Sequence, residues 1–285
     1  MTRPAFLFLA VIVAWTQSST AGQRSQPGVL DRARSYIAAW QEQLSGLVAH
    51  ETYVQRLQHR FGRTMTQRME SDVLLVRVTN RWVGFRDVAE VDGHPIAGRS
   101  ERLLDLFVKH PVQDAMLQAR RINEEAARYN LGHLYRNFNV PTTALQLLET
   151  DRSDRVEFRV DGPTRLSGVP AVKIDYREVR PPSLIFDKGT RKYIFTRGKL
   201  WIDEPTGRVL ATEMNWRLSP SRDEGALDAT VTVTYREDRT TGIWVPAEMT
   251  EKYDTGAEIV HAHADYSGIR RFSVVVKDDI TLPHD

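Results

Sequence analysis

His261, His263 and Asp265 stand at alternate positions in the run His261-Ala262-His263-Ala264-Asp265, and on a β-strand that spacing sends all three side chains to one face. Two imidazoles and a carboxylate suit zinc, which makes the run a candidate metal site and, with it, a metal-dependent hydrolase. The opposite face carries Val260, Ala262, Ala264 and Tyr266, so the competing reading places the histidines on a solvated surface. A second concentration of polar chemistry is Glu124, Glu125, Arg128, Tyr129, Asn130 and His133. Glu124 and Arg128 are four apart and would pair across one helical turn. Alternatively, Arg128 offers its planar fork to a carboxylate or phosphate at the mouth of a cavity. Glu124 and Glu125 are also the acids a carboxylate-dependent hydrolase would need. Other chemistries lack their residues: there is no Gly-x-Ser-x-Gly elbow, no cysteine and no Gly-rich phosphate loop. His50-Glu51 is followed by Tyr53 and Val54, not by the second histidine of a zinc-protease helix. No cofactor is called for.

The elements that must position these residues are mostly strands. Period-two alternation runs through Thr230 to Tyr235, where Val231, Val233 and Tyr235 interleave with three threonines, and through Arg155 to Val160. Strands are expected at about 51–60, 70–79, 81–91, 155–161, 170–179, 191–196, 198–203, 208–218, 228–238, 243–253, 257–266 and 270–276. Asp203-Glu204-Pro205-Thr206-Gly207 supplies a hairpin turn, and Asp92-Gly93-His94-Pro95 turns the chain earlier. Leu30, Ala33, Ile37, Trp40, Leu44 and Leu47 draw one apolar stripe on an N-terminal helix of about eighteen residues. Between about 100 and 149 the period becomes helical. Leu103, Leu106 and Phe107 fall in a short helix, and Val112, Met116, Ala119, Ile122, Ala126 and Tyr129 form the stripe of a longer one. Pro141 opens a third, with Leu145, Leu147 and Leu148. The fold class is α+β: a curved antiparallel sheet or incomplete β-barrel with an N-terminal helix and a helical insertion covering its open face. Trp201, Trp216 and Trp244 fall on or beside its strands, as core or as the lining of a cavity.

Met1 to Ala21 has a basic start at Arg3, an apolar run from Ala5 to Trp15 and small residues at Ser19 and Ala21, the pattern of a secretory signal cleaved near Ala21. Residues 22–28 read as a polar tether and 29–285 as one domain, periplasmic or secreted. No later segment is apolar enough to span a bilayer. The charge is +2, or +1 without Arg3, with both signs mixed throughout, which excludes a nucleic-acid partner.

The stretch from Gly198 to Leu210, then Trp244-Val245-Pro246-Ala247-Glu248-Met249 and Asp265 to Phe272, resembles the later half of the periplasmic lipoprotein carriers (LolA-like proteins). The run from Val91 to Gly132, with Asn139-Val140-Pro141, resembles an uncharacterised family of exported bacterial proteins. The carrier resemblance implies a half-barrel with helices over its open side, enclosing an apolar cavity for acyl chains. A lipid or lipoprotein is then the implied partner, with Arg128, Tyr129, Met116, Trp201 and Trp216 as candidate contacts and no enzymatic activity. Besides the hydrolase, a scaffold that binds protein through a sheet edge or helix face is the remaining class.

Overall fold

The computed structural model describes residues 28–44, 46–78, 81–99, 102, 105–106, 112–132, 136, 140–187, 190–218 and 226–271, so the expected leader and most of the first inserted helix lie outside the described residues. Among the described residues there are thirteen strands: β1 (Leu47–His59), β2 (Thr64–Val78), β3 (Arg81–Val91), β4 (His94–Pro95), β5 (Val156–Leu166), β6 (Val169–Glu178), β7 (Ile185–Asp187), β8 (Lys192–Ile194), β9 (Arg197–Ile202), β10 (Val209–Leu218), β11 (Leu227–Glu237), β12 (Trp244–Asp254) and β13 (Glu258–Arg271). Eleven of them form one antiparallel sheet in the order β4-β3-β2-β1-β13-β12-β11-β10-β9-β6-β5; it is curved and does not close into a barrel. Strands β7 and β8 form a separate hairpin.

Hairpins account for most of the order, because neighbours in sequence pair with short turns. Asp92 and Gly93 both take positive φ, 49° and 79°, the geometry a two-residue hairpin turn needs. The long-range pairing is β1 with β13, which brings the first strand against the last and leaves β3–β4 and β5 at the two borders. The border at β3 is covered. The helix α2 (Val112–Ala126) lies along it, Asn123 Oδ1 accepts from the Arg86 backbone N–H at 3.2 Å, and Val140 packs against Gly84 so closely that a Cβ there would sit 2.2 Å from its methyl. The border at β5 is irregular instead, with a register shift between Val160 and Gly162 followed by Pro163.

The concave face is filled. Leu57, Val73, Ile174, Leu200, Val231, Met249 and Ala264 belong to one continuous buried cluster with Ala33, Ile37, Trp40 and Leu44 of helix α1 (Val29–Leu44) and with Leu145, Leu147 and Leu148 of a 3-10 turn at Thr143–Leu148. Burying these groups is the main stabilising term. The expected insertion therefore does two jobs: its long helix seals a sheet border, and its last turn joins α1 as the roof. Helix α1 is fixed at both ends. Arg32 Nε donates to the Glu204 carbonyl at 2.7 Å, Trp40 Nε1 donates to the Trp244 carbonyl at 2.5 Å, and Arg271 Nη2 donates to the Gln43 carbonyl at 2.7 Å. In the β9–β10 turn Gly207 has φ +74°, and a Cβ there would lie 2.5 Å from the Arg32 carbonyl. Gly207→Ala should cost about 1–3 kcal/mol from backbone strain alone, more if α1 shifts, as thermal or urea denaturation will read.

Several expected boundaries move. Helix α1 stops at Leu44, three residues short of the expected end, and β1 already starts at Leu47, the last residue of the expected helix. The strands expected at 257–266 and 270–276 are one strand, β13, up to Arg271; the remainder lies outside the described residues. The strand expected at 191–196 is three residues long and has a partner, β7, that the sequence pattern did not show.

Candidate functional site

Strand β1 points Ala49, Glu51, Tyr53, Gln55 and Leu57 inward, so two polar side chains stand among apolar ones. Glu51 is fully buried, and Arg86 of β3 meets it with both arms, Nε to Oε2 at 2.5 Å and Nη2 to Oε1 at 2.8 Å. The guanidinium also lies over the Tyr53 ring, 5.0 Å from its centroid. On the neighbouring side Arg136, 1% exposed, enters from the insertion. Its Nη2 donates to Gln55 Oε1 and to the Leu131 carbonyl, its Nη1 lies 3.6 Å from Glu251 Oε2, and its plane sits 4.9 Å from the Tyr253 ring. Tyr53 donates to Glu251 Oε2 at 2.9 Å. Gln55 also donates to the Tyr129 carbonyl and accepts from the Leu131 N–H, both at 3.0 Å. Paired charges are what make such burial tolerable.

None of these groups is more than 7% exposed, which withholds them from any substrate. The network therefore holds the insertion against the concave face. Burial comes first among the causes that push the Tyr53, Tyr253 and Tyr266 hydroxyls well above their ordinary pKa of 10.0, and the Glu251 carboxylate near the first two and Glu51 near the third add to it. Because the folded chain holds these protons more tightly than the unfolded one, their contribution to stability is complete below pH 10 and is lost as pH rises above it. Absorbance at 295 nm should show fewer than the nine tyrosines of the chain ionising at pH 11 until the protein unfolds.

The residues singled out by spacing are dispersed. His261, His263 and Asp265 lie together on the outer face of β13, with His263 Nε2 3.2 Å from Asp265 Oδ2. His261 is opposite Arg56 and Lys252, two cations, and no three His, Asp or Glu residues converge as a metal site among the described residues. The Glu124–Arg128 pair does not form. Glu125 instead takes Arg99 and Arg102, which also hold the buried Asp87 on the outer face of β3, and Glu124 and Arg128 are exposed. Tyr129 is partly buried against the apolar cluster. Met116 falls in α2, and its side chain lies outside the described residues, as does His133. Trp201 is half-buried on the outer face, opposite Lys173 and Ala211, whereas Trp216 points inward and meets the Tyr253 ring edge-on with centroids 6.1 Å apart.

Trp216 also borders a cleft of about 720 Å³ at one end of the sheet, within the range of about 300–1,000 Å³ usual for ligand sites. Trp216 and Ala229 also line it, but Arg197, Asn215, Thr230 and Lys252 stand in the phase opposite to the inward Met214, Trp216, Ala229 and Tyr253, so the cleft lies on the outer face. Its rim is a row in strict register across five strands: Arg177, Arg197, Asn215, Thr230 and Lys252. Arg177 pairs with Glu157 at 2.6 Å and Lys252 with Asp254 at 3.8 Å, while Arg197 has no ion pair among the described residues. Trp216 stood among the three tryptophans expected as core or cavity lining, with nothing in the sequence to set it apart from Trp201. The row of cations could not be read without the register of strands that follow one another at different intervals.

No protein-family profile matches the chain, and no curated protein matches it. Among solved structures it is similar to a DUF1329 family protein from Desulfovibrio piger, at 10% identity over 88% of this chain and 96% of that one, TM-score 0.39. It is similar also to a putative outer membrane lipoprotein-sorting protein domain from Vibrio parahaemolyticus, at 11% identity over 88% and 95%, TM-score 0.42. A third is a LolA superfamily protein from Nitrosomonas europaea, at 9% identity over 85% and 94%, TM-score 0.32. Its structural neighbours thus include LolA-superfamily proteins, the class that the later half of the sequence resembles.

Proposed function

We propose that this is an exported envelope protein that binds an anionic amphiphile, a fatty acid or the acyl moiety of a lipid or lipoprotein, without transforming it. The observation that carries the reading is the 720 Å³ cleft on the outer face, where the exposed ring of Phe195 lies in the same lining as Arg197. An acyl chain gains from leaving water along the wall, and a carboxylate or phosphate gains from the guanidinium fork. Among the described residues no helix is long and apolar enough to cross a membrane.

Titration with a dansyl-labelled fatty acid, followed by its emission and by tryptophan quenching, tests the reading. Saturable binding is expected, weakened about tenfold or more by Arg197→Ala, in line with about 1.5–3 kcal/mol for a hydrogen bond to a charged group. The corresponding long-chain alcohol should bind weakly to wild type and be indifferent to Arg197→Ala. Absence of saturable binding, or equal affinity of wild type and variant for the acid, would count against it.

A further inference from the structure

The β7–β8 hairpin stands apart from the main sheet and is built with two faces. Ile185 and Ile194 are opposite each other and turn toward the protein, Ile185 being 5% exposed. Phe186 and Tyr193 form the next pair and turn away, 47% and 46% exposed, with ring centroids 5.1 Å apart; Phe195 just beyond is 45% exposed. The base is fixed by the buried Glu178, which accepts from the Leu184 N–H, the Thr196 N–H and the Thr196 hydroxyl at 2.8–2.9 Å and so ties both ends of the hairpin to one carboxylate. Exposed aromatics held this rigidly are costly in water, and a patch of them marks a surface that meets something else.

The charge around the patch identifies what. From Arg180 to Phe195 the sequence has four basic residues and one acidic one, Asp187. Asp187 is engaged in the turn, where its Oδ2 accepts from the Thr190 N–H at 3.2 Å and from the Thr190 hydroxyl. Arg180, Arg191 and Lys192 are exposed and have no ion pair among the described residues. On the neighbouring strands, by contrast, Lys173 pairs with Asp161 at 2.6 Å and Lys199 with Glu213 at 3.4 Å. We infer that the hairpin docks on an anionic lipid surface. Phe186, Tyr193 and Phe195 enter the headgroup boundary, where amphipathic rings are favoured, and Arg180, Arg191 and Lys192 face lipid phosphates. A protein partner would have to supply acidic and apolar groups in the same arrangement, whereas an anionic bilayer presents both everywhere. The inference does not depend on the cleft's binding a ligand.

Co-flotation of the full chain with vesicles of phosphatidylcholine, alone or mixed with phosphatidylglycerol, tests it. Partitioning is expected into the mixed vesicles only, falling steeply with added salt. Arg191→Gln with Lys192→Gln should reduce it by roughly twenty-five-fold, at roughly fivefold per cation. Phe186→Ser with Tyr193→Ser should abolish it while leaving fatty-acid titration unchanged. Equal partitioning into both vesicle types, or unchanged partitioning of either variant, overturns the inference. If the aromatic variant melts at lower temperature, the charge variant decides alone. A concentration-dependent dimer that is lost in the aromatic variant, without vesicle binding, would also overturn it and assign the patch to a second copy of the chain.

Discussion

Glu51→Ala lowers the free energy of unfolding by about 3–5 kcal/mol, the cost of leaving a buried charge without its partner. The carboxylate is fully buried and takes both arms of Arg86, so its loss removes the counter-charge of a guanidinium that is 7% exposed and lies over the Tyr53 ring. The attraction between the two charges in place is a poor guide to this number, because much of it is offset by the desolvation of both. For that reason the paired replacement Glu51→Leu with Arg86→Met should recover most of the loss. A double-mutant cycle by urea denaturation, with large single effects and a small combined one, checks the claim. Additive losses would mean that Arg86 contributes chiefly through its contact with Tyr53 and not through the charge pair.

Trp40→Ala should cost about 3–5 kcal/mol and at the same time loosen the roof. Trp40 is 3% exposed, donates to the Trp244 carbonyl and meets the Tyr235 ring at right angles with centroids 6.4 Å apart, so it joins α1 to β11 and β12 at once. Truncation removes an indole from between the helix and the concave face and leaves a carbonyl without its donor. Denaturation midpoints give the first effect. The second is read as increased binding of a hydrophobic dye in native buffer. Loss of stability without any gain in dye binding would show that the interior collapses around the gap.

The fold was legible wherever one face of a strand is apolar and the other polar, as in Leu227 to Tyr235, because a period of two can be satisfied in only one way against a core. It was misread where a local signal conflicted with the register. Ser267 and Gly268 look like a break between strands, yet β13 continues through them, with the irregularity absorbed opposite Val48 and His50 and Gly268 at φ +54°. Leu47 prolongs the helical stripe of Trp40 and Leu44 by spacing alone, but already belongs to β1. Within the buried network, Glu51, Gln55 and Glu251 could have been flagged as polar residues in the apolar phase of their strands. Their partners could not: Arg86 lies 35 residues from Glu51, and Arg136 sits in a stretch without periodicity. The histidine run shows the converse. Its phase was assigned correctly to the outer face, and what makes it unsuited to a cation, Arg56 and Lys252 beside His261, comes from strands on either side.

The two borders of the main sheet are finished differently, one closed over by α2 and Val140, the other left as β5 with its kink and Pro163. A ribbon that can be lengthened at one margin only has no means of propagating: two molecules meeting β5 to β5 would exhaust each other's free margin, and a third has nowhere to join. Concentrated samples of this protein should therefore stop at a finite stoichiometry instead of growing into filaments, despite the long run of strands that each molecule contains.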